Sequence, residues 1–382
     1  MLPGFRVEKL ADTAGFVSSL AFAPAGTLYY STTAGGVFRL DGTTSTLAAE
    51  IPSADDGNAA LLGIAFRSNH EFISHSVPPG LTANVISAYN LATGDETELA
   101  RFLCDAGRPC SSEHRGGNTV IGPDGSIFVG IGDYGGPTLA QNPDSPGGKI
   151  WRIAPDGGIS MFALGFRNPF DLAVHPTSGE LIVADNGPVA GDEIHIIREG
   201  DNAGWPFTVG NDPPLEGAVS PDYTWDETIA PTGVFYVRGP LPMQDGGLLV
   251  ASFVTSAIYY FPDLSIRPLD DPLVLIERET GSIIDLVQNG NGDIFFATAF
   301  GIYRLHLPIP GDANGNGRID SDDGRALANE IVDGDGMRTV DASRGGFAGS
   351  WGADANQDGV IDSRDLVTLG KMRNGRTRPA RR

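Results

Sequence analysis

The chain has 382 residues, 41% of them hydrophobic, with 52 glycines and 27 prolines; that is enough for one large β domain plus a small appendage and too apolar for a disordered chain. Its 26 basic and 48 acidic side chains give a formal net charge of −22, which excludes nucleic acid as a partner because phosphate binding needs a basic face. No apolar run reaches the roughly 18 residues that a membrane-crossing helix requires.

The opening stretch, MLPGFRVEKLADTAG, lacks the basic start and apolar core of an export signal, so none is expected from the sequence as it stands. A repeated unit follows: an apolar segment, a Pro/Asp/Gly turn and an alternating strand, often with a second strand behind it. Copies stand at 20–40 (LAFAPAGTLYYSTTAGGVFRL), 119–133 with KIWRI at 149–153, 172–187 with EIHII at 193–197, 246–261 and 283–305. Their turn glycines, Gly26, Gly125, Gly179, Gly247 and Gly292, are spaced 99, 54, 68 and 45 apart. A weaker copy over 61–91 fills the double-sized first gap and makes six. Short strands with period-2 patterning and regular turns bury their faces best as a radial array, so the pattern predicts an all-β, six-bladed β-propeller over 3–307. The competing arrangement is a pair of β-sandwiches. Between the second and third copies, Cys104 and Cys110 flank a tight CDAGRPC loop that can close as a disulfide or remain two thiols.

Three stretches carry chemistry: EHRGGNTVIGPDGSIFVGIGDYGG (113–136), LGFRNPFDLAVHPTSGELIVADNGPVAGDEIHII (164–197) and GDNAGWP (200–206). Together with ALLGIAF (60–66) they resemble the glucose/sorbosone dehydrogenase family, whose members oxidise sugars with pyrroloquinoline quinone (PQQ) and Ca²⁺. The resemblance implies that His114 is the catalytic base and that the backbone carbonyls of Gly187 and Pro188 hold an active-site Ca²⁺. It further implies that Arg167 and Asn168 contact the cofactor and that Asn58 stands at the substrate end. Asp133 either orients such a histidine or caps a turn. The family's cationic clamp for the cofactor's carboxylates is missing. Val254, Thr255 and Ser256 stand where a Lys is expected, and Gly281, Ser282 and Ile283 where Arg is expected; Arg278 is the nearest cation, Asp285 alone survives of that motif, and Asn118 departs from the residues usual after HxGG. Two functions follow: a divergent PQQ- and Ca²⁺-dependent sugar dehydrogenase, or a non-catalytic propeller that binds carbohydrate or protein.

The Pro-rich hinge at 308–311 predicts a domain boundary. Beyond it, GDANGNGRIDSDD and GADANQDGVIDSRD place oxygen side chains at positions 1, 3, 5, 9 and 12 of two twelve-residue loops. These are Asp312, Asn314, Asn316, Asp320 and Asp323, then Asp354, Asn356, Asp358, Asp362 and Asp365, with Gly317 and Gly359 at the sharp turn. The carbonyls of Arg318 and Val360 complete two Ca²⁺ sites. Each loop precedes a helix, and Ile319 and Ile361 are expected to pack the loops together. With Asp at position 12 and about forty residues between copies, 312–373 resembles a dockerin module. That resemblance implies a cohesin-like or cell-surface partner and an extracellular or periplasmic location, against the missing signal. The basic tail, 374–382, reads as a solvated end.

Overall fold

A computed structural model of the chain describes residues 4–52, 61–80, 82–104, 113–238, 246–333, 351–358 and 360–374. Its strands form six four-stranded antiparallel sheets, the predicted propeller. Blade 1 comprises Val17–Phe22, Leu28–Thr32, Gly36–Asp41 and Thr44–Glu50; blade 2 comprises Leu61–Ser68, Glu71–Ser76, Ala83–Asn90 and Glu96–Leu103. Blade 3 comprises Thr119–Ile121, Ile127–Ile131, Lys149–Ile153 and Ile159–Leu164, and blade 4 Pro169–Val174, Leu181–Asp185, Asp192–Ile197 and Tyr223–Trp225. Blade 5 comprises Pro231–Tyr236, Leu248–Ser252, Ala257–Phe261 and Leu273–Glu277. Blade 6 takes Ile283–Gln288, Ile294–Thr298 and Gly301–His306 from the end of the propeller and Arg6–Asp12 from its beginning. The N-terminal strand thereby closes the ring, removing the free edge that an open array would present.

The core lies between blades. Val17, Leu20 and Tyr30 of blade 1 pack with Ala297 and Ile302 of blade 6, and Ile73 and Ile86 of blade 2 with Val129 and Ile131 of blade 3. The other blade pairs repeat this arrangement, so each sheet buries both faces against its neighbours. Four of the predicted turn glycines are in the left-handed region, as their hairpins need. At the fifth the left-handed residue is Gly246, with a φ of 101°; Gly247 is small because the Tyr260 ring lies against it.

The innermost strands carry a second device. Five of them shift register at the same point, ending at Ser19, Gly63, Asp171, Gly233 and Asp285, with Asn118 just before the inner strand of blade 3. Asp171 accepts the Val234 amide of blade 5 at 2.6 Å, and Asp285 accepts the Leu20 amide of blade 1 at 2.6 Å. Asn118 bonds to both carboxylates, and Gly63 and Gly233 leave the space that Asn118 and Asp285 fill. A polar ring thus pins the blades around the axis.

Beyond the propeller, helices Ser321–Asp333 and Ser363–Arg373 pack over a small core of Ala313, Leu327, Ile361 and Leu369. The expected hinge does not run free. Gly311 donates its amide to Gly352 O at 2.7 Å and abuts Met372 and Leu369, and the Arg6 guanidinium lies against Gly317.

Candidate active site

A cavity of about 350 Å³ opens at the end of the axis where the inner strands begin, lined by His114, Arg115, Asn168 and Asn186 among others. The larger hollow at the opposite end, about 860 Å³, has no histidine or acid in its lining; size favours it, chemistry does not.

The HRGG segment is shaped by close packing. A Cβ on Gly116 would strike the Gly130 carbonyl, and one on Gly117 the Phe170 carbonyl, so neither position admits a larger residue. Gly132 is restricted in the same way by the His114 carbonyl. His114 itself has a φ of 50°, a conformation costing roughly 1–3 kcal/mol that its surroundings must enforce. Beneath the segment, buried His75 bonds through Nδ1 to Gly117 O at 2.7 Å and meets Asn84 Nδ2 at 2.6 Å, while Asn84 donates to Arg115 O and accepts from Tyr134 Oη. Burial lowers the His75 pKa to about 4, so this ring is neutral and supports the segment without charge.

His114 Nδ1 lies 2.6 Å from Asp133 Oδ1. Asp133 is fully buried, and its other oxygen accepts the Trp205 indole N–H at 2.8 Å. Of the two roles open to Asp133, the structure supports both, since the Gly135 amide also donates to Oδ1 at 2.8 Å. A carboxylate acceptor at Nδ1 leaves Nε2 as the nitrogen able to take a proton.

Asn168 Oδ1 accepts the Gly116 amide at 3.2 Å, joining RNP to HRGG. The Arg167 guanidinium donates to Asn186 O at 2.9 Å and sits 5.8 Å from the Trp205 ring centroid. Asp185, unremarked in the sequence, holds both backbones by accepting the amides of Arg167 at 2.9 Å and Asn168 at 2.6 Å. Burial, with Glu193 nearby, raises its pKa to about 7. Asp192, the Asp of the DE pair, accepts the amide of Gly187 at 2.7 Å and those of Ile229 and Ala230 with its other oxygen. A hydrogen-bond count through backbone amides cannot be read from a sequence. Lys149 of the GKI motif is structural: its Nζ donates to the carbonyls of Leu139, Ala140 and Gly147, and burial lowers its pKa to about 8.

His114 and Asn168 therefore share one cavity wall, and Arg167 stands behind it on Asn186. Gly187 and Pro188 follow Asn186 but do not line the cavity, and Asn58 lies outside the described residues. Arg278 is exposed beside Glu277 and does not reach the cavity. Cys104 is held in a disulfide, while Cys110 lies outside the described residues.

The fit to a metal and a quinone cofactor is divided. Asn186 Oδ1 is buried without a hydrogen-bond partner among the described residues, next to Gly187, which suits a cation or a donor at that end. On the blade 5, 6 and 1 side the described lining is Phe253, Ala230, Thr232, Ile284, Val17, Ser18, Phe16 and Thr33, which offers no cation to a carboxylate.

In the small unit the two loops repeat one hydrogen-bond pattern. Asp323 accepts the amides of Asn314 and Asp320, and Asp365 those of Asn356 and Asp362. Asp312 and Asp354 accept from Asn316 and Asp358, whose own side chains accept from Arg318 and Val360. Among the described residues no three His, Cys, Asp or Glu form a metal-suited group, so a cation here would draw on the amide and carbonyl oxygens as well. Gly359 lies outside the described residues.

The family model for Glucose / Sorbosone dehydrogenase matches residues 17–300. Quinoprotein glucose dehydrogenase B of Acinetobacter calcoaceticus is 31% identical over 206 residues, which is 42% of this chain and 42% of that protein; the match thus spans less than half of that relative's length. Aldose sugar dehydrogenase YliI of Escherichia coli strain K12 is 24% identical over 313 residues, covering 72% of this chain and 84% of that one. The solved PQQ-bound form of aldose sugar dehydrogenase from Streptomyces coelicolor aligns with a TM-score of 0.69 and 25% identity, over 80% of this chain and 99% of its own.

Proposed function

Because the chain belongs to the glucose/sorbosone dehydrogenase family, we propose that it oxidises an aldose sugar at the C1 hydroxyl to the lactone, with Ca²⁺ and PQQ as cofactors. The observation that carries this reading is the bond between His114, which lines the cavity, and the buried Asp133 behind it, 2.6 Å apart. Asp133 orients the ring, Nε2 of His114 takes the hydroxyl proton, and Asn168, in the same wall, with Arg167 behind it, would contact the cofactor. The bound quinone would supply the acceptor for the hydride that leaves C1. The carbonyls of Gly187 and Pro188, with Asn186 Oδ1, are the oxygens that would hold the cation, and Asn58 would stand at the sugar end. Losing two or three charge-assisted contacts, at about 1.5–3 kcal/mol each, predicts weak PQQ binding.

We assign 312–373 as a dockerin-like module binding two Ca²⁺ through the loop residues named above, with a cohesin-like or cell-surface partner and an extracellular or periplasmic location. The matched hydrogen-bond patterns of the two loops support the cation sites. No helix among the described residues is long and apolar enough to cross a membrane.

The test is reconstitution with PQQ and Ca²⁺, followed by aldose-dependent reduction of an artificial acceptor. Slow turnover is expected. The cation-free wall favours one second reading, a propeller that binds carbohydrate or protein without catalysis, and absence of both turnover and a PQQ spectral change would select it.

A further inference from the structure

Across the cavity from His114, the wall built by blades 5, 6 and 1 carries two phenyl rings partly open to solvent. Phe16 and Phe253 line the cavity, each 39% exposed, and Phe300 packs edge-on against Phe16 with ring centroids 5.8 Å apart while remaining 61% exposed. Val254, next in the chain to Phe253, is 55% exposed. Large apolar side chains left bare at a concave site mark a surface kept for a ligand. The only cationic or basic side chains among the described lining residues are His114 and Arg115, both from the opposite wall. A tricarboxylate seated here would put anionic groups against phenyl rings in a chain of net charge −22, where the described lining of that wall offers only the neutral hydroxyls of Ser18, Thr33 and Thr232 in place of lost hydration. An uncharged planar ring would cover the same phenyls and lose no charge hydration.

We propose that this aromatic shelf selects an uncharged planar quinone over PQQ as the ring ligand of the cavity, with Phe253 as the residue that sets the preference. The proposal rests on the reading of the cavity as a quinone-dependent redox site, in which PQQ is then the weaker of two ligands, but it concerns binding and is tested without sugar or turnover. The full-length protein with Ca²⁺ is titrated with an unsubstituted naphthoquinone and, separately, with PQQ, each followed by calorimetry and by quenching of tryptophan fluorescence, Trp205 being bonded to Asp133 beside the site. The naphthoquinone is expected to bind at least ~10-fold more tightly. Phe253→Ala weakens the naphthoquinone and leaves PQQ unchanged, and Phe253→Lys reverses the order. Tighter binding of PQQ to the unaltered protein overturns the proposal, as does naphthoquinone binding that is indifferent to Phe253→Ala in a variant whose melting is normal. If the variants fail to fold, the ranking of the two ligands on the unaltered protein decides alone. A protein that ranks the ligands as expected yet oxidises no aldose keeps the shelf and loses the dehydrogenase reading; the converse result separates the two the other way.

Discussion

His114 depends on a partner that fixes which of its nitrogens carries the proton. With Asp133 at Nδ1, Nε2 is held ready as the acceptor. An amide at 133 can present its N–H₂ to the ring and stabilise the wrong tautomer, so Asp133→Asn is expected to lower turnover by about 10²-fold or more with little change in ligand affinity; steady-state kinetics with a separate binding titration check the split. The histidine, its neighbouring glycines and the RNP pair were singled out through the family resemblance of their motifs, and the close approach at Gly116 and Gly117 gives the glycines a physical reason. Asp185 and the phenyl shelf were not. Asp185 acts through backbone amides, and Phe16, Phe253 and Phe300 are brought together only by ring closure, far apart in the chain.

Loops and strands were unequally legible as elements. Period-2 patterning and turn residues located the blades, yet the strand Arg6–Asp12 could not be assigned to blade 6 from sequence, since its partner Gly301–His306 lies at the far end of the domain. In the small unit the spacing placed a helix after each loop, and helices stand there at Ser321–Asp333 and Ser363–Arg373. The second helix starts from a capping box made by Asp362 and Asp365, residues that also count as loop oxygens. A cation that binds only the folded unit adds about 2.7 kcal/mol at a hundredfold excess over its dissociation constant. Chelation with EDTA is therefore expected to remove a separate melting step of residues 308–382 while the propeller still melts in its own step, shifted only by loss of its one proposed cation. Calorimetric titration should find two Ca²⁺ in the small unit and one after Asp354→Ala. A melting curve indifferent to EDTA contradicts the loop assignment.

For the whole molecule, the axial ring links closure of the propeller to pH. Burial raises the pKa of Asp171 and lifts that of Asp285 to about 7. An acid that holds its proton more tightly when folded adds stability that is complete below its unfolded pKa of about 4 and is lost as pH rises to about 7. His75 acts in the opposite sense: its folded pKa of about 4 gives stability present above about 6.5 that drains away as pH falls. Replacing Asp285 removes its share and also relieves the repulsion that helps raise Asp171. The stability of Asp285→Asn relative to the unaltered protein should rise between pH 5 and 7, by up to about 1.4 kcal/mol per pH unit, as read from urea unfolding midpoints. A constant difference across that range would show that Asp285 is ionised throughout.

The central claim is that this propeller oxidises a sugar through His114, and one comparison tests it most directly. The protein and its His114→Ala variant are reconstituted with PQQ and Ca²⁺ and followed for aldose oxidation and for cofactor binding. A general base acts in the transition state and contributes ~10² to 10⁴ in rate, so the account predicts slow turnover in the first, none in the variant, and nearly equal binding in both. Turnover that persists undiminished in His114→Ala would contradict it.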